Sequence, residues 1–96
     1  MKKLETEFTK DIFTYKQLKR TDRVAMYAQY FEDKLISTEI FKIRVAPEQE
    51  LFGKLLPERE IYPNNEQFGI SALSISNNPE KVERKYNELI SSLESE

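Results

Sequence analysis

Cysteine and histidine are both absent from the 96 residues, tryptophan is absent too, and glycine occurs only twice. Without cysteine the chain has no disulfide, no thiolate nucleophile and no zinc–thiolate or iron–sulfur site. Without histidine it lacks the usual general base near neutral pH and the commonest ligand of zinc, copper and haem iron. Enzyme chemistry would have to rest on carboxylates, lysine, tyrosine or hydroxyls. Neither Gly53 nor Gly69 opens a phosphate-binding loop, and no serine sits in a nucleophile elbow. The expectation is a non-enzymatic protein with no catalytic residues, no cofactor and no metal. No run approaches the ~20 apolar residues of a membrane helix, and Met1-Lys2-Lys3 leads into Glu5 and Glu7 instead of an apolar signal core. A cytoplasmic protein without a membrane partner is therefore expected.

What is present belongs to one folded domain spanning residues 1–96. Hydrophobic residues make up 39% and charged residues 33%, with six Phe and five Tyr, too apolar for a disordered chain. The net charge of −2 is unevenly spread. Residues 1–46 hold ten Lys/Arg against seven Asp/Glu, and residues 47–96 hold five against ten. That asymmetry can orient a partner in an electrostatic field but is too mild to mark a polyanion-binding protein by itself.

Periodicity supplies the elements. Alternation over residues 4–8, 13–20, 24–31 and 35–45 predicts four strands joined by short polar turns, with a slip of phase at Leu18. In the last of these Phe41 and Ile43 alternate with Lys42 and Arg44, which must point to the opposite face. Residues 64–68 read as a capped turn, and residues 70–76 as a further strand. Asn78-Pro79 then places an N-cap ahead of a proline that needs no N–H, predicting a helix over 79–93. Val82, Tyr86, Leu89, Ile90 and Leu93 form its single apolar stripe. The predicted fold is α+β: an antiparallel meander of about five or six strands within residues 4–76, packed on one C-terminal helix as a two-layer sandwich. One face of the sheet is covered and the other is wet.

The connector at 46–63 is the segment most suited to function. Three of the four prolines, Pro47, Pro57 and Pro63, lie within it or at its end, and so does Gly53. Its apolar residues are unusual for a solvated loop: Leu51, Phe52, Leu55 and Leu56 cluster around Gly53 and Lys54. They are either a docking tip for another protein or a plug that closes the core. Residues 58–62 read as an edge arm with Glu58, Glu60 and Tyr62 on one side. A carboxylate pair at this spacing can share a proton or hold a divalent cation, yet Glu48/Glu50 and Glu5/Glu7 repeat it, so solvated edge charge explains it equally. The candidate protein contacts are Leu51, Phe52, Lys54, Glu58, Glu60 and Tyr62.

A second set of residues suits nucleic acid. Lys16, Lys19, Arg20, Lys42 and Arg44, with Arg23 and the rings of Tyr15 and Tyr27 nearby, can form a basic sheet face that stacks bases. Ordinary wet-face charge is the competing reading, and no recognition motif accompanies the set. A self-paired sheet edge would in addition make the protein a homodimer.

Glu39-Ile40-Phe41-Lys42-Ile43-Arg44, followed by Pro57-Glu58-Arg59-Glu60-Ile61-Tyr62-Pro63-Asn64-Asn65-Glu66-Gln67-Phe68-Gly69, resembles a pattern in small uncharacterised phage and prophage proteins. The resemblance covers about a third of the chain, and Leu73 stands where the pattern carries an aromatic. It implies an accessory protein of a mobile element that binds a host or phage protein, inhibition of a defence system included. It implies no chemistry.

Overall fold

The computed structural model describes residues 1–64, 68–69, 72–76 and 78–95. Among these residues nine strands and one helix follow in chain order: β1 (Glu7–Lys10), β2 (Phe13–Arg20), β3 (Val24–Phe31), β4 (Lys34–Lys42), β5 (Arg44–Ala46), β6 (Gln49–Leu51), β7 (Lys54–Leu56), β8 (Arg59–Ile61), β9 (Ala72–Ile75) and α1 (Pro79–Glu94). The fold is α+β. β1 to β4 form an antiparallel meander, and β9 pairs antiparallel with the far side of β4. None of the helical residues described forms a helix long and apolar enough to cross a membrane.

Local chemistry explains the turns. Glu32 and Asp33 take φ of 48° and 68° between the paired residues Phe31 and Lys34, the left-handed geometry whose twist matches that of the flanking strands. Between β2 and β3 the Thr21 hydroxyl accepts the N–H of Val24 at 3.0 Å. The phase slip expected at Leu18 is a bulge, since the register shifts between Gln17 and Lys19.

α1 begins as its sequence requires. Asn78 Oδ1 accepts the N–H of Lys81 at 3.1 Å, with Pro79 opening the first turn. Val82, Tyr86 and Leu93 are buried against Val24, Met26, Ile40 and Ile75, and Leu89 and Ile90 pack beside them. Each such side chain contributes about 1.5–3 kcal/mol of transfer free energy when fully buried. Residues 65–67, 70–71 and 77 lie outside the described residues, so the capped turn at 64–68 is described only at its ends. The expected strand at 70–76 is seen as Ala72–Ile75.

The opposite sheet face is covered as well, which corrects the expectation of a wet face. Tyr15, Ala25, Tyr27, Phe41, Ile43 and Ala72 are buried there under Leu4, Phe8, Phe13, Tyr62 and Phe68. The Tyr62 ring lies 4.6 Å from Phe41, 5.2 Å from Tyr27 and 5.2 Å from Phe8 between centroids, edge-on to each. Lys42 and Arg44 do not continue one strand. The ladder breaks at Ile43, whose side chain is buried in this aromatic layer and whose N–H bonds Arg23 O at 2.7 Å.

Nor is the connector irregular. β5 pairs antiparallel with β8, and β6 with β7, as two separate two-stranded ladders. The arm at 58–62 thus joins β5 and not the five-stranded sheet. The N-terminal residues complete this smaller layer, because Lys2 bridges Arg59 in parallel and its carbonyl accepts the Glu60 N–H at 2.9 Å.

Candidate functional site

The β6–β7 hairpin is built from very short strands. Leu51 pairs with Lys54 across a two-residue turn, Phe52-Gly53, whose φ values are 51° and 76°. Both positive angles identify a type I′ turn, which normally takes Asn, Asp or Gly at its first position and Gly at its second. Gly53 meets that demand. Phe52 does not, and a bulky residue in left-handed backbone costs roughly 1–2 kcal/mol.

No packing offsets that cost. Phe52 is 94% exposed, Leu55 65% and Leu51 47%. Core closure is therefore ruled out for Leu51, Phe52 and Leu55, which stand in water, while Leu56 at the base of the hairpin is half-buried. Lys54 is exposed beside the tip, as are Glu48, Glu50 and Glu58 towards its base. An apolar tip above an acidic collar is the arrangement that the hairpin presents.

Glu60 and Tyr62, grouped with the tip by sequence, belong to the interior. Only 7% of Glu60 is exposed. Its carboxylate accepts two hydrogen bonds from the Arg20 guanidinium, at 2.6 and 2.8 Å, and the N–H of Leu4 at 2.9 Å, with Lys3 Nζ at 3.7 Å. These bonds, that of Arg20 foremost, hold the Glu60 carboxyl down at about 2. Its oxygens are thus engaged by Arg20 and Leu4, while Glu58 is exposed. Tyr62 donates its hydroxyl proton to Glu39 Oε1 at 2.6 Å inside the aromatic layer. Burial raises the Tyr62 phenol, and the hydrogen bond to Glu39 raises it further; burial likewise raises the Glu39 carboxyl against the smaller opposing effect of that bond. Among the described residues no group of three or more Asp or Glu is placed to hold a metal ion.

The basic set does not assemble into one surface. Lys16 and Lys19 pair with Ala28 and Met26 on the helix side of the sheet, whereas Arg20 points to the aromatic side and is taken up by Glu60. Lys16 lies 3.6 Å from Glu7 and over the Tyr30 ring; Lys19 binds Glu83 and lies over the Tyr86 ring at 4.7 Å. Lys42, opposite Val24, shares the helix side with Lys16 and Lys19, whereas Arg44 starts the smaller layer. Tyr15 and Tyr27, the rings a base would stack on, are buried in the aromatic layer. The nucleic-acid reading thus loses its stacking platform.

One feature escaped the sequence reading. Beyond the N-terminus of α1 the sheet carries an apolar groove of about 560 Å³, lined by Leu18, Met26, Leu35, Thr38, Ile75 and Val82 among others. Leu18 gave the only hint, since its phase slip puts a large apolar side chain outside the regular alternation. Comparison with protein-family models, with curated proteins and with solved structures finds no match to this chain.

Proposed function

We propose that the protein is a non-enzymatic binding module that docks onto another protein through the β6–β7 hairpin. Phe52 is the anchor, and Leu51 and Leu55 flank it. The observation that carries this reading is the Phe52 side chain itself, 94% exposed on strained left-handed backbone. Strain without packing is unexplained by folding and is explained by an interface, where a buried aromatic anchor dominates the binding energy. The acidic collar of Glu48, Glu50 and Glu58 fits an apolar pocket with a basic rim, so association is expected to slow with added salt. The resemblance of residues 39–69 to phage and prophage proteins makes a host or phage protein the expected partner and an accessory role the expected context.

The test is parallel affinity capture from the native host with wild-type, Phe52→Asp and Leu73→Ala baits. A protein retained by wild type and Leu73→Ala but lost with Phe52→Asp supports the reading. Identical captures with all three, or recovery of the chain alone, overturn it.

A further inference from the structure

α1 leaves part of the helix-side face of the sheet open. It begins at Pro79, just past β9, and its last turn is tied to the start of β3, where the Arg23 guanidinium donates to Leu93 O at 3.2 Å. The groove of about 560 Å³ lies at the other end of the helix. Met26, Thr38 and Ile75 line it from the sheet and Val82 from α1, with Leu18 and Leu35, each 53% exposed, at its margins.

Thr38 is the residue that folding leaves unexplained. Its register places it opposite Ala28 and Ile75, on the same side as Met26 and Ile40. It is only 8% exposed, yet its side chain makes no hydrogen bond to any described residue. Burying a hydroxyl without a partner is unfavourable, and a valine of the same shape would line the groove without that cost. The hydroxyl therefore marks the place of a hydrogen-bonding atom that the chain does not itself supply.

We propose that this groove binds a neutral small molecule with an apolar body and one hydroxyl or carbonyl oxygen. The body lies against Leu18, Met26, Ile75 and Val82, and the oxygen bonds the Thr38 hydroxyl. The volume falls in the range of small-molecule sites, which combine apolar walls with a few placed polar groups. Neutrality follows from the charges nearby. Glu83 lines the groove, but Lys19 binds it and lies over the Tyr86 ring, so neither charge is free to pair with a ligand ion. An ion entering there would lose its hydration without compensation. The groove shares no residue with the β6–β7 hairpin, and its occupancy does not rest on the docking role proposed above.

Amide NMR titration of the whole chain with n-heptanol tests this, with heptanoate as the charged counterpart of equal length. In wild type the amides of Met26, Thr38, Ile75 and Val82 are expected to shift with one saturable affinity for heptanol, and heptanoate to bind about tenfold more weakly or worse. Thr38→Val keeps the shape and removes the hydroxyl, so heptanol is expected to bind it about twofold to tenfold more weakly. Leu18→Ala, on the exposed bulge, is the second variant, with binding weakened about threefold as the apolar margin is lost. Absence of saturable shifts at these amides overturns the proposal, and so does equal affinity for heptanoate, or for heptanol in Thr38→Val. Groove amides that move on dilution of the protein alone would show a second copy in the groove and overturn it as well.

Discussion

The Arg20 guanidinium grips the Glu60 carboxylate through two hydrogen bonds, of 2.6 and 2.8 Å, across 40 residues of sequence. This fork joins the large sheet to the arm that carries the hairpin. Because Glu60 is nearly fully buried and also receives the Leu4 N–H, removing it leaves a guanidinium and an amide without their acceptor. Glu60→Ala is expected to cost about 3–5 kcal/mol in urea denaturation. A loss under about 1 kcal/mol would show that the fork is not structural.

The same carboxylate sets an acid limit. Its folded-state value of about 2 lies below the ordinary range near 4.3, so the unfolded chain takes up the proton first as pH falls. The stabilisation is fully present above about pH 5 and is lost progressively down towards pH 2. Glu60→Gln is expected to flatten stability against pH in that window. An unchanged acid slope in the variant would contradict this.

Glu39 acts in the opposite sense. Burial raises its carboxyl, so it keeps its proton in the folded chain to higher pH than in the unfolded chain. Stability is therefore lost as pH rises from the ordinary carboxylate value through the raised one, and the deficit persists at neutral pH. Glu39→Gln retains an acceptor for the Tyr62 hydroxyl and removes the buried charge. A higher melting temperature at pH 7, with little gain at pH 4, is the expected outcome of calorimetry; a lower melting temperature at pH 7 would overturn it.

Phe41 tests the covered second face. It is fully buried, stacked on Tyr27 at 5.7 Å and edge-on to Tyr62. Phe41→Ala is expected to cost about 3–5 kcal/mol by chemical denaturation. A wet face would give less than about 1 kcal/mol.

The short-range features were legible in the sequence, and the closure of the second face was not. Alternation over β2 to β4, the slip at Leu18 and the Asn78-Pro79 helix start are set by neighbours within a few residues, and the structure carries each of them. Alternation says which side chains share a face but not what covers it. Tyr62 and Leu4 reach the aromatic layer from distant segments, so an outward and an inward row look alike in sequence. Glu60 shows the same limit: its spacing from Glu58 repeats that of Glu48 and Glu50, and only the arrival of Arg20 separates them. The hairpin was half legible. Its apolar residues stood out around Gly53, but three-residue strands are too short for a period, and Phe52 is the wrong residue for a type I′ turn.

The most direct measurement is urea denaturation of Phe52→Asn, which puts a residue suited to left-handed backbone in place of the exposed ring. The variant is expected to be as stable as wild type or more stable by up to about 1 kcal/mol. A loss of several kcal/mol would mean that Phe52 supports the fold, and would contradict its role as a free anchor for a partner.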